Sequence, residues 1–475
     1  MDMFVIDGGR PLVGTARVSG SKNASLPIMA AAIMADSACE LHNVPDLLDV
    51  QTMCRLLRLL GVRVHWKPSY LGRSLVLTVQ DESRCLADYD LVRQMRASVC
   101  VLGPLLAKRG RARVSLPGGC AIGDRPIDLH LRGLRSLGAE IHVDRGYVHA
   151  QAKRLRGSRV FLDGPFGTTA TGTCNVMSAA TLAEGVTIIE SAACEPEVME
   201  LGRFLNRMGA HIEGLGTSRL RIEGVRHLRG ATQSIVPDRI EAATLMIAAA
   251  ATRGDIKLEN VPVADMTAII EKLRDIGVEI EVDSSQSMTA RNFEANETST
   301  VRVTATQRPN PAEITAKPFP GIPTDVQAQF MALLSMANGT SIVTDRVFPE
   351  RFQHTPELAR LGARLRRDGS SVVVDGVDRL HGTNVMAGDL RASAALVIAG
   401  LAAEESTTIH RICHLDRGYE RLEKKLTALG ASVRRVEDYL DPSRQNLRSP
   451  AAIMWLLSHR ENEIANVVDR VRPSR

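Results

Sequence analysis

One cysteine in this sequence has unusual neighbours. In SLPGGCAIGDRPIDLH, residues 115–130, Cys120 follows two glycines and precedes Arg125 by five positions. Gly and Pro at this density predict a loop, and a nearby guanidinium lowers the pKa of a thiol from about 8.5. The pattern indicates an exposed thiol able to transfer a proton; the alternative is a small apolar filler. The remaining cysteines are expected to be buried or incidental: Cys39, Cys54, Cys85, Cys100, Cys174, Cys194 and Cys413.

Charged residues also stand at the starts of segments that are otherwise apolar. These are Lys22 with Asn23, Arg96, Asp325, and Asp389 with Arg391, while nearby loops carry Arg125, Arg351 and Arg417. Arginine forks bind phosphate and carboxylate bidentately, and helix N-termini add backbone donors. Each residue alone is explained by solvation or ion pairing, but the set predicts a cleft for a small anionic ligand. Asp325 is either a helix N-cap or a carboxylate that takes a proton from a hydroxyl.

Composition and motifs argue against several classes of protein. A net charge of +5 without a basic cluster and only 3% aromatic residues disfavour a nucleic-acid platform. The cysteines show no zinc-site spacing, and neither GxxxxGK[ST] nor GxGxxG occurs. No apolar run approaches the ~20 residues of a membrane span, and MDMFVIDGGR does not read as a signal peptide. We therefore expect a cytoplasmic enzyme that binds no nucleic acid and no membrane.

The elements that must position these residues repeat six times. The pattern Leu-x-x-apolar-Gly-apolar-x-apolar predicts a helix that ends at a C′ glycine and is followed by a strand. Its glycines are Gly61, Gly138, Gly209, Gly277, Gly362 and Gly430. Between them recur small-residue helices such as EAATLMIAAAATRG that are apolar on every face and so predict burial. We predict two similar α/β domains, each with strands outside and apolar helices inside.

Three further segments lie around these repeats. The first strand, MFVIDGG, is expected to complete the second domain, and the polar segment from about residue 283 to 324 is expected to be an inserted loop. The predicted domains are 22–236, which carries the Cys120 loop, and 1–21 plus 237–436. Residues 437–475 form an extension with helical apolar spacing.

The motifs SGSKNA, MRAS, LPGGCAIGDRPIDLH, PTDVQAQF, GDLRASAA and DRGYERLEKKL resemble the UDP-N-acetylglucosamine 1-carboxyvinyltransferases. The resemblance runs from about Gly14 to Arg435, and the chain is more distantly similar to EPSP synthase. It implies a two-domain inverted α/β barrel of six βαβαββ units, three per domain. It also implies a transferase without a metal or an organic cofactor.

The resemblance implies a specific reaction. The enolpyruvyl group of phosphoenolpyruvate would pass to the 3-hydroxyl of UDP-N-acetylglucosamine with release of phosphate, through addition and elimination, in the first committed step of peptidoglycan synthesis. These two substrates are the expected partners, and the chain is expected to be a monomer or a weak homo-oligomer. Fosfomycin would alkylate Cys120.

Residue roles carry over by motif. Cys120 would be the general acid and Asp325 would deprotonate or orient the sugar hydroxyl. Phosphate and carboxylate would be held by Lys22, Arg125 and Arg417, with Arg391 nearby and Arg96 and Arg351 in support. The nucleotide sugar would contact Asn23, Pro126, Ile127, Asp128, Leu129, Val347 and Asp389. The family's Ser-Val-Gly-type stretch is replaced by GPFGTT, where the backbone of Gly167 and Thr168 is expected to bind phosphate.

Two other functions remain open from the sequence. GPFGTT is compatible with an enolpyruvyl transferase acting on another uridine nucleotide, for example UMP. A catalytically silent paralogue that binds the nucleotide sugar is the other alternative. Retention of Cys120, Asp325, Lys22 and Arg417 disfavours the silent paralogue, because binding alone requires no proton donor.

Overall fold

The structure of the chain is a computed structural model that describes residues 2–69, 72–117, 125–165, 167–283 and 298–437. Cys120 and its predicted loop, and the C-terminal extension after residue 437, therefore lie outside the described residues.

The described helices are α1 (Lys22–Ala31), α2 (Leu48–Leu59), α3 (Tyr89–Val92), α4 (Leu102–Arg109), α5 (Asp128–Ser136), α6 (Ala170–Ala180), α7 (Pro196–Arg207), α8 (Arg239–Ala251), α9 (Thr267–Asp275), α10 (Gln327–Leu334), α11 (Thr355–Arg360), α12 (Leu390–Ala402) and α13 (Leu422–Ala428).

The described strands are β1 (Asp2–Asp7), β2 (Val13–Arg17), β3 (Cys39–His42), β4 (Val62–Ser69), β5 (Gly72–Val79), β6 (Leu86–Ala87), β7 (Arg111–Ser115), β8 (Glu140–Asp144), β9 (Tyr147–Gln151), β10 (Arg159–Phe161), β11 (Asp163–Gly164), β12 (Gly167–Thr168), β13 (Val186–Glu190), β14 (His211–Glu213), β15 (Arg219–Glu223), β16 (Thr232–Ser234), β17 (Asp255–Val261), β18 (Glu279–Val282), β19 (Ser299–Thr304), β20 (Glu313–Ala316), β21 (Thr340–Asp345), β22 (Arg364–Asp368), β23 (Ser371–Asp375), β24 (Asn384–Met386), β25 (Ser406–His410) and β26 (Ser432–Glu437).

Six of the sheets share one plan. In the sheet ordered β6-β7-β9-β8, the first pair is parallel and the next two pairs are antiparallel. In the chain, β6 is followed by the short helix α3, then by α4, β7, α5, β8 and β9. Apart from α3, this is the expected βαβαββ unit. Three sheets borrow a strand from far along the chain: β16 joins β3, β2 joins β17, and β1 lies between β25 and β26. The pairing of β1 confirms that the first strand completes a sheet formed by the end of the chain.

The six repeated glycines adopt the backbone conformation that the sequence predicts. Their φ values lie between 79° and 106°, in the left-handed region that glycine enters without a steric penalty. Each amide donates to the carbonyl three residues earlier, as in Gly138 N to Arg135 O at 2.8 Å. Each is followed by a strand: β4, β8, β14, β18, β22 and β26. The C′ prediction is confirmed in all six copies.

Small-residue helices form the centres of two hydrophobic cores. Every residue of α8 from Arg239 to Ala250 is buried, as is every residue of α12 from Leu390 to Leu401. One core gathers buried residues between Ala24 and Val236. The other joins residues 4–18 to residues 240–433. Helices lie inside and sheets outside, which confirms the predicted inverted α/β architecture.

The segment 283–324 is not simply an inserted loop. Among its described residues it supplies β19 and β20, which pair with β17 and β21. In β19, Val301 and Val303 are fully buried and alternate with polar residues. The alternation was present in the sequence, but the polar and proline-rich flanks obscured it.

Candidate active site

The N-termini of the buried helices α1, α10 and α12 meet at one place. Lys22 is the first residue of α1, and Arg391 is the second of α12. Asp325 lies in a 3-10 turn, Thr324–Val326, that leads into α10. Because these helices are buried along their length, charged side chains occur only at their ends. Helix N-termini carry partial positive charge, so their convergence favours an anionic ligand.

Asp325 is the centre of this cluster. Its Oδ1 accepts a hydrogen bond of 2.8 Å from Nη1 of Arg351, and its Oδ2 lies 3.3 Å from Nη2 of Arg391. Asn23 donates its amide to the same Oδ2 at 3.3 Å. The N-cap alternative for Asp325 is wrong, because its side-chain oxygens face these three side chains and no side-chain cap bond is made at the turn or at α10. Asp389 is the N-cap of α12, accepting from the amides of Arg391 and Ala392.

The pKa of Asp325 reflects two opposing effects. Burial alone would raise the pKa of this carboxyl, but the charges of Arg391, Arg351 and Lys22 hold the pKa well below its ordinary value. Asp325 is therefore a carboxylate at neutral pH. It is also a weak base for as long as these cations are not neutralised by a ligand.

Lys22 and Arg417 share a second carboxylate, that of Asp49 in the first turn of α2. Asp49 Oδ1 accepts from Arg417 Nε at 2.9 Å, and Asp49 Oδ2 lies 3.4 Å from Lys22 Nζ. Only 5% of the Asp49 side chain is exposed. Burial lowers the pKa of Lys22, and Asp49 partly restores it. An anion placed beside Lys22 would stabilise the ammonium further.

Arg125 is connected to the same region by a cation–π contact with an aromatic ring. Its Cζ lies 4.8 Å from the ring centroid of Phe348, and Cζ of Arg351 lies 6.0 Å from that centroid. Phe348 thus stands between two of the predicted site arginines. After Arg125 come Pro126 and Ile127, the N-cap of α5, followed by Asp128 and the buried Leu129 within that helix.

His130 is a buried member of the site that the sequence did not reveal. Asn175 Nδ2 lies 2.8 Å from its Nδ1, and Thr171 Oγ1 lies 3.3 Å from its Nε2. Burial, followed by the charges of Arg96 and Arg125, lowers the pKa of His130 to about 3. Because an amide nitrogen only donates, a neutral His130 accepts at Nδ1 and carries its proton on Nε2.

The predicted phosphate-binding backbone directly precedes α6, the helix that carries the His130 contact Thr171. Gly167 and Thr168 form β12, which pairs with β11 and directly precedes α6. Thr169 caps α6 by accepting from the amide of Gly172. Val347, another predicted contact of the nucleotide sugar, donates its amide to Asp345 Oδ1 at 2.9 Å.

Sequence reasoning missed five residues here: Asp49, His130, Thr324, Asp345 and Phe348. An acidic residue early in a helix is ordinarily explained by its favourable interaction with the helix dipole. Asp49 was therefore not recognised as a site residue. Thr324 stands beside Asp325 in PTDVQAQF and was the clearest signal in the sequence, because a hydroxyl that is removed from water usually has a hydrogen-bond partner.

The remaining cysteines match the expectation that they are buried or incidental. Cys39, Cys54, Cys100 and Cys174 are buried, and burial raises the pKa of each thiol, to about 11 for Cys39. Within the described residues, no cluster of His, Cys, Asp or Glu has the form of a metal site. No helix in that part of the chain is long and apolar enough to cross a membrane.

Comparison with known proteins places the chain in a family. Residues 6–426 match the family EPSP synthase (3-phosphoshikimate 1-carboxyvinyltransferase). A UDP-N-acetylglucosamine 1-carboxyvinyltransferase from Myxococcus xanthus is 51% identical over 435 residues, covering 92% of this chain and 99% of its own. The protein of the same name from Methylacidiphilum infernorum is 48% identical over 439 residues, again 92% and 99%.

Solved structures agree with the sequence relatives. The enolpyruvyl transferase NikO from Streptomyces tendae superposes with a TM-score of 0.79 at 25% identity, covering 92% of this chain and 99% of that one. EPSP synthase from Acinetobacter baumannii shares the fold, with a TM-score of 0.69 at 18% identity and coverage of 92% and 100%. The chain is a transferase that belongs to the UDP-N-acetylglucosamine 1-carboxyvinyltransferases, within the EPSP synthase family.

Proposed function

We propose that this protein transfers the enolpyruvyl group of phosphoenolpyruvate to the 3-hydroxyl of UDP-N-acetylglucosamine, releasing inorganic phosphate. Identities of 48% to 51% to carboxyvinyltransferases that carry this acceptor in their name support it. The observation that carries the proposal is Asp325, a partly exposed carboxylate that contacts Arg351, Arg391 and Asn23, with Lys22 close enough to lower its pKa.

The basic side chains fit the donor substrate. Phosphoenolpyruvate carries a phosphate and a carboxylate on one small carbon frame. Lys22, Arg391 and Arg417 present one ammonium and two guanidinium groups around Asp325 and Asp49, while Arg125 stands at the Phe348 side. We assign the donor to this space, because guanidinium groups bind both kinds of oxyanion bidentately.

Donor binding would also activate the base. The negative charges of the donor would offset the field of Lys22 and Arg391, and the pKa of Asp325 would then rise towards its ordinary value. Asp325 would become an effective acceptor for the sugar hydroxyl proton only once the donor is in place. Ordered chemistry of this kind prevents proton transfer before both substrates are present.

Proton transfers complete the scheme. Cys120 would protonate the methylene carbon of the enol as the sugar oxygen attacks the adjacent carbon, giving a tetrahedral intermediate. Loss of phosphate, with return of one methyl proton to the Cys120 thiolate, would then restore the double bond in the product. Arginines and helix N-termini stabilise the oxyanions that develop.

The acceptor would lie on the other side of Asp325. Asn23 would contact the sugar, the segment from Arg125 to Leu129 would hold the uridine end, and Gly167 and Thr168 would meet the diphosphate. Val347 would line the sugar pocket. Arg96, Arg351 and Asp389 would support these contacts; Asp389 does so as the cap of the helix that bears Arg391.

We also propose the molecular setting. The domains would be 22–236 and 1–21 plus 237–436, and the two separate hydrophobic cores support that division. Because the site residues come from the sequence ranges of both cores, domain closure would complete the site and exclude water. The protein would act in the cytoplasm as a monomer or a weak homo-oligomer.

One assay tests the function. Phosphate release should require phosphoenolpyruvate and UDP-N-acetylglucosamine together, and UMP in place of the nucleotide sugar should give far less. Fosfomycin should inactivate the protein, and Cys120→Asp should keep some activity while resisting the drug. Binding of the nucleotide sugar without any phosphate release would refute the transferase assignment, and preference for UMP would redirect it.

A further inference from the structure

A buried carboxylate that has no place in the scheme above connects two parts of the site. Asp345 is the last residue of β21 and is fully buried. Its Oδ1 accepts from the backbone amides of Val347 and Phe348 at 2.9 and 2.7 Å. Its Oδ2 accepts from the Thr324 hydroxyl at 2.5 Å. One side chain at the end of one strand thereby holds three groups.

The hydroxyl of Thr324 extends this contact to the predicted base. Arg351 Nη1 donates to Thr324 Oγ1 at 3.1 Å and to Asp325 Oδ1 at 2.8 Å. A carboxylate only accepts and a guanidinium only donates, so the hydrogen bonds run in one direction, from Arg351 through Thr324 to Asp345. Arg351 is 7% exposed and therefore gains little from water as a substitute partner.

We propose that Asp345 and Thr324 are positioning residues that hold the Arg351 guanidinium against Asp325 and fix the turn that carries Phe348. The expected effect on turnover rests on the proposed function. The positioning of Arg351 itself does not depend on that function. The charged groups facing Asp325 are Lys22 from α1, Arg391 from α12 and Arg351 from the segment after β21. Of these, only Arg351 is held by the Asp345–Thr324 pair.

Two substitutions test the positioning. Thr324→Val keeps the shape of the side chain and removes the hydroxyl. Asp345→Asn replaces an acceptor with a group whose NH₂ opposes the donors around it. Either change should loosen Arg351 and raise the pKa of Asp325 by about 0.5–1 unit. The acidic limb of kcat should move to higher pH, and kcat should fall about tenfold while KM changes less than about threefold.

The same strand offers a matched control. Thr340, at the other end of β21, donates to Asp375 Oδ1 at 2.8 Å on the surface. Thr340→Val removes an equivalent threonine–aspartate hydrogen bond and should leave the pKa of Asp325 and kcat unchanged. A general effect of losing such a bond would appear in all three variants.

The readout that decides is carboxyl ¹³C NMR of aspartate-labelled protein, with the Asp325 signal assigned by its loss in Asp325→Asn. A raised pKa in Thr324→Val and Asp345→Asn, but not in Thr340→Val, supports the proposal. An unchanged pKa in Thr324→Val overturns it, even if Asp345→Asn does not fold. An inactive wild-type protein would count against the proposed function alone, because this titration needs no substrate.

Discussion

Asp49 accepts a hydrogen bond of 2.9 Å from Nε of Arg417, a residue 368 positions later in the chain. The same carboxylate lies 3.4 Å from Lys22 Nζ. Asp49 lies within the range of the first core and Arg417 within that of the second, so the contact joins the two halves of the fold. Asp49 keeps the cationic groups of Lys22 and Arg417 close together before a ligand binds. Its own negative charge then lies beside the proposed anion site.

Replacing Asp49 by Asn should distinguish the effect of Asp49 on the positions of Lys22 and Arg417 from its electrostatic effect on the bound anion. Lys22 and Arg417 lose a common anchor, so kcat should fall about 10- to 100-fold, or roughly 1.4–2.8 kcal/mol in the barrier. KM for phosphoenolpyruvate should change less than about threefold, because removal of a repelling carboxylate offsets the lost order. Steady-state kinetics measure both.

The neighbouring Asp46→Asn is the matched control for that prediction. Asp46 is exposed and accepts from Gln51 Nε2, without contact to Lys22 or Arg417 among its described hydrogen bonds. Its substitution should leave kcat unchanged. A rise in KM with normal kcat in Asp49→Asn would mean that Asp49 organises only ground-state binding.

Asp325→Asn should remove the base and disturb stability in a pH-dependent way. We expect kcat to fall by about 10²–10⁴, the usual contribution of a positioned base. The folded-state pKa of Asp325 is depressed, so its stabilising contribution is present above the unfolded value of about 3.9. That contribution disappears as pH falls through the folded pKa.

Denaturant unfolding of both proteins at several pH values measures this difference. Wild type should exceed Asp325→Asn in unfolding free energy at pH 7, and the gap should close below about pH 4. Asp255→Asn removes a surface carboxylate that is paired with Arg302 and should not alter kcat. A gap that widens with acid would contradict the assigned direction of the pKa.

Local chemistry explains why the repeats were predictable from sequence. Gly61 and its five counterparts each predict a helix end with a left-handed C′ residue. An alanine-rich helix such as α8 is apolar on every face, which predicts that it is buried in a core. These signals depend on neighbours in the chain. The strand β19 was not predicted because its alternating valines lie between polar segments. The alternating stretch is too short to give a strand signal stronger than the loop signal of those segments.

The site was predictable only where side-chain type implies chemistry. Lys22, Asp325 and Arg391 were selected as charges at the starts of apolar elements, and Arg351 as a charge in a nearby loop. The structure brings the four side chains together. Asp345 could not be found this way, because its role depends on a turn and on Thr324, which is 21 residues distant. Hydrogen bonds between residues so far apart in the chain depend on the tertiary structure and leave no local pattern in the sequence.

The ring of Phe348 should contribute to acceptor binding through Arg125. Phe348→Leu removes the cation–π contact at 4.8 Å, worth about 0.5–1 kcal/mol, so KM for UDP-N-acetylglucosamine should rise about two- to fivefold. Phe348→Tyr should restore it. Phe161→Leu removes a surface contact with Arg132 at 5.9 Å and should leave KM unchanged. Equal effects in the two leucine variants would show that the ring matters only for packing.

His130 should make the protein lose stability in mild acid. Its pKa is lowered to about 3 by burial and then by Arg96 and Arg125, whereas an unfolded histidine titrates near 6.5. Between these values the unfolded chain binds the extra proton. Stability is therefore complete above about pH 6.5 and declines as pH falls, by up to about 1.4 kcal/mol per pH unit.

His130→Gln should flatten that decline, because an amide retains an acceptor for Asn175 and a donor for Thr171 but does not titrate. His354, whose pKa burial lowers to about 4 despite Asp389, should contribute a second, similar part of the slope that extends over a shorter pH range. His227 has a side chain that is 79% exposed, so His227→Gln serves as the control and should keep the wild-type slope. Unfolding free energies at pH 5, 6 and 7 decide the matter. An unaltered slope in His130→Gln would mean that His130 takes up a proton in the folded protein, and the Nε2–H assignment would then be wrong.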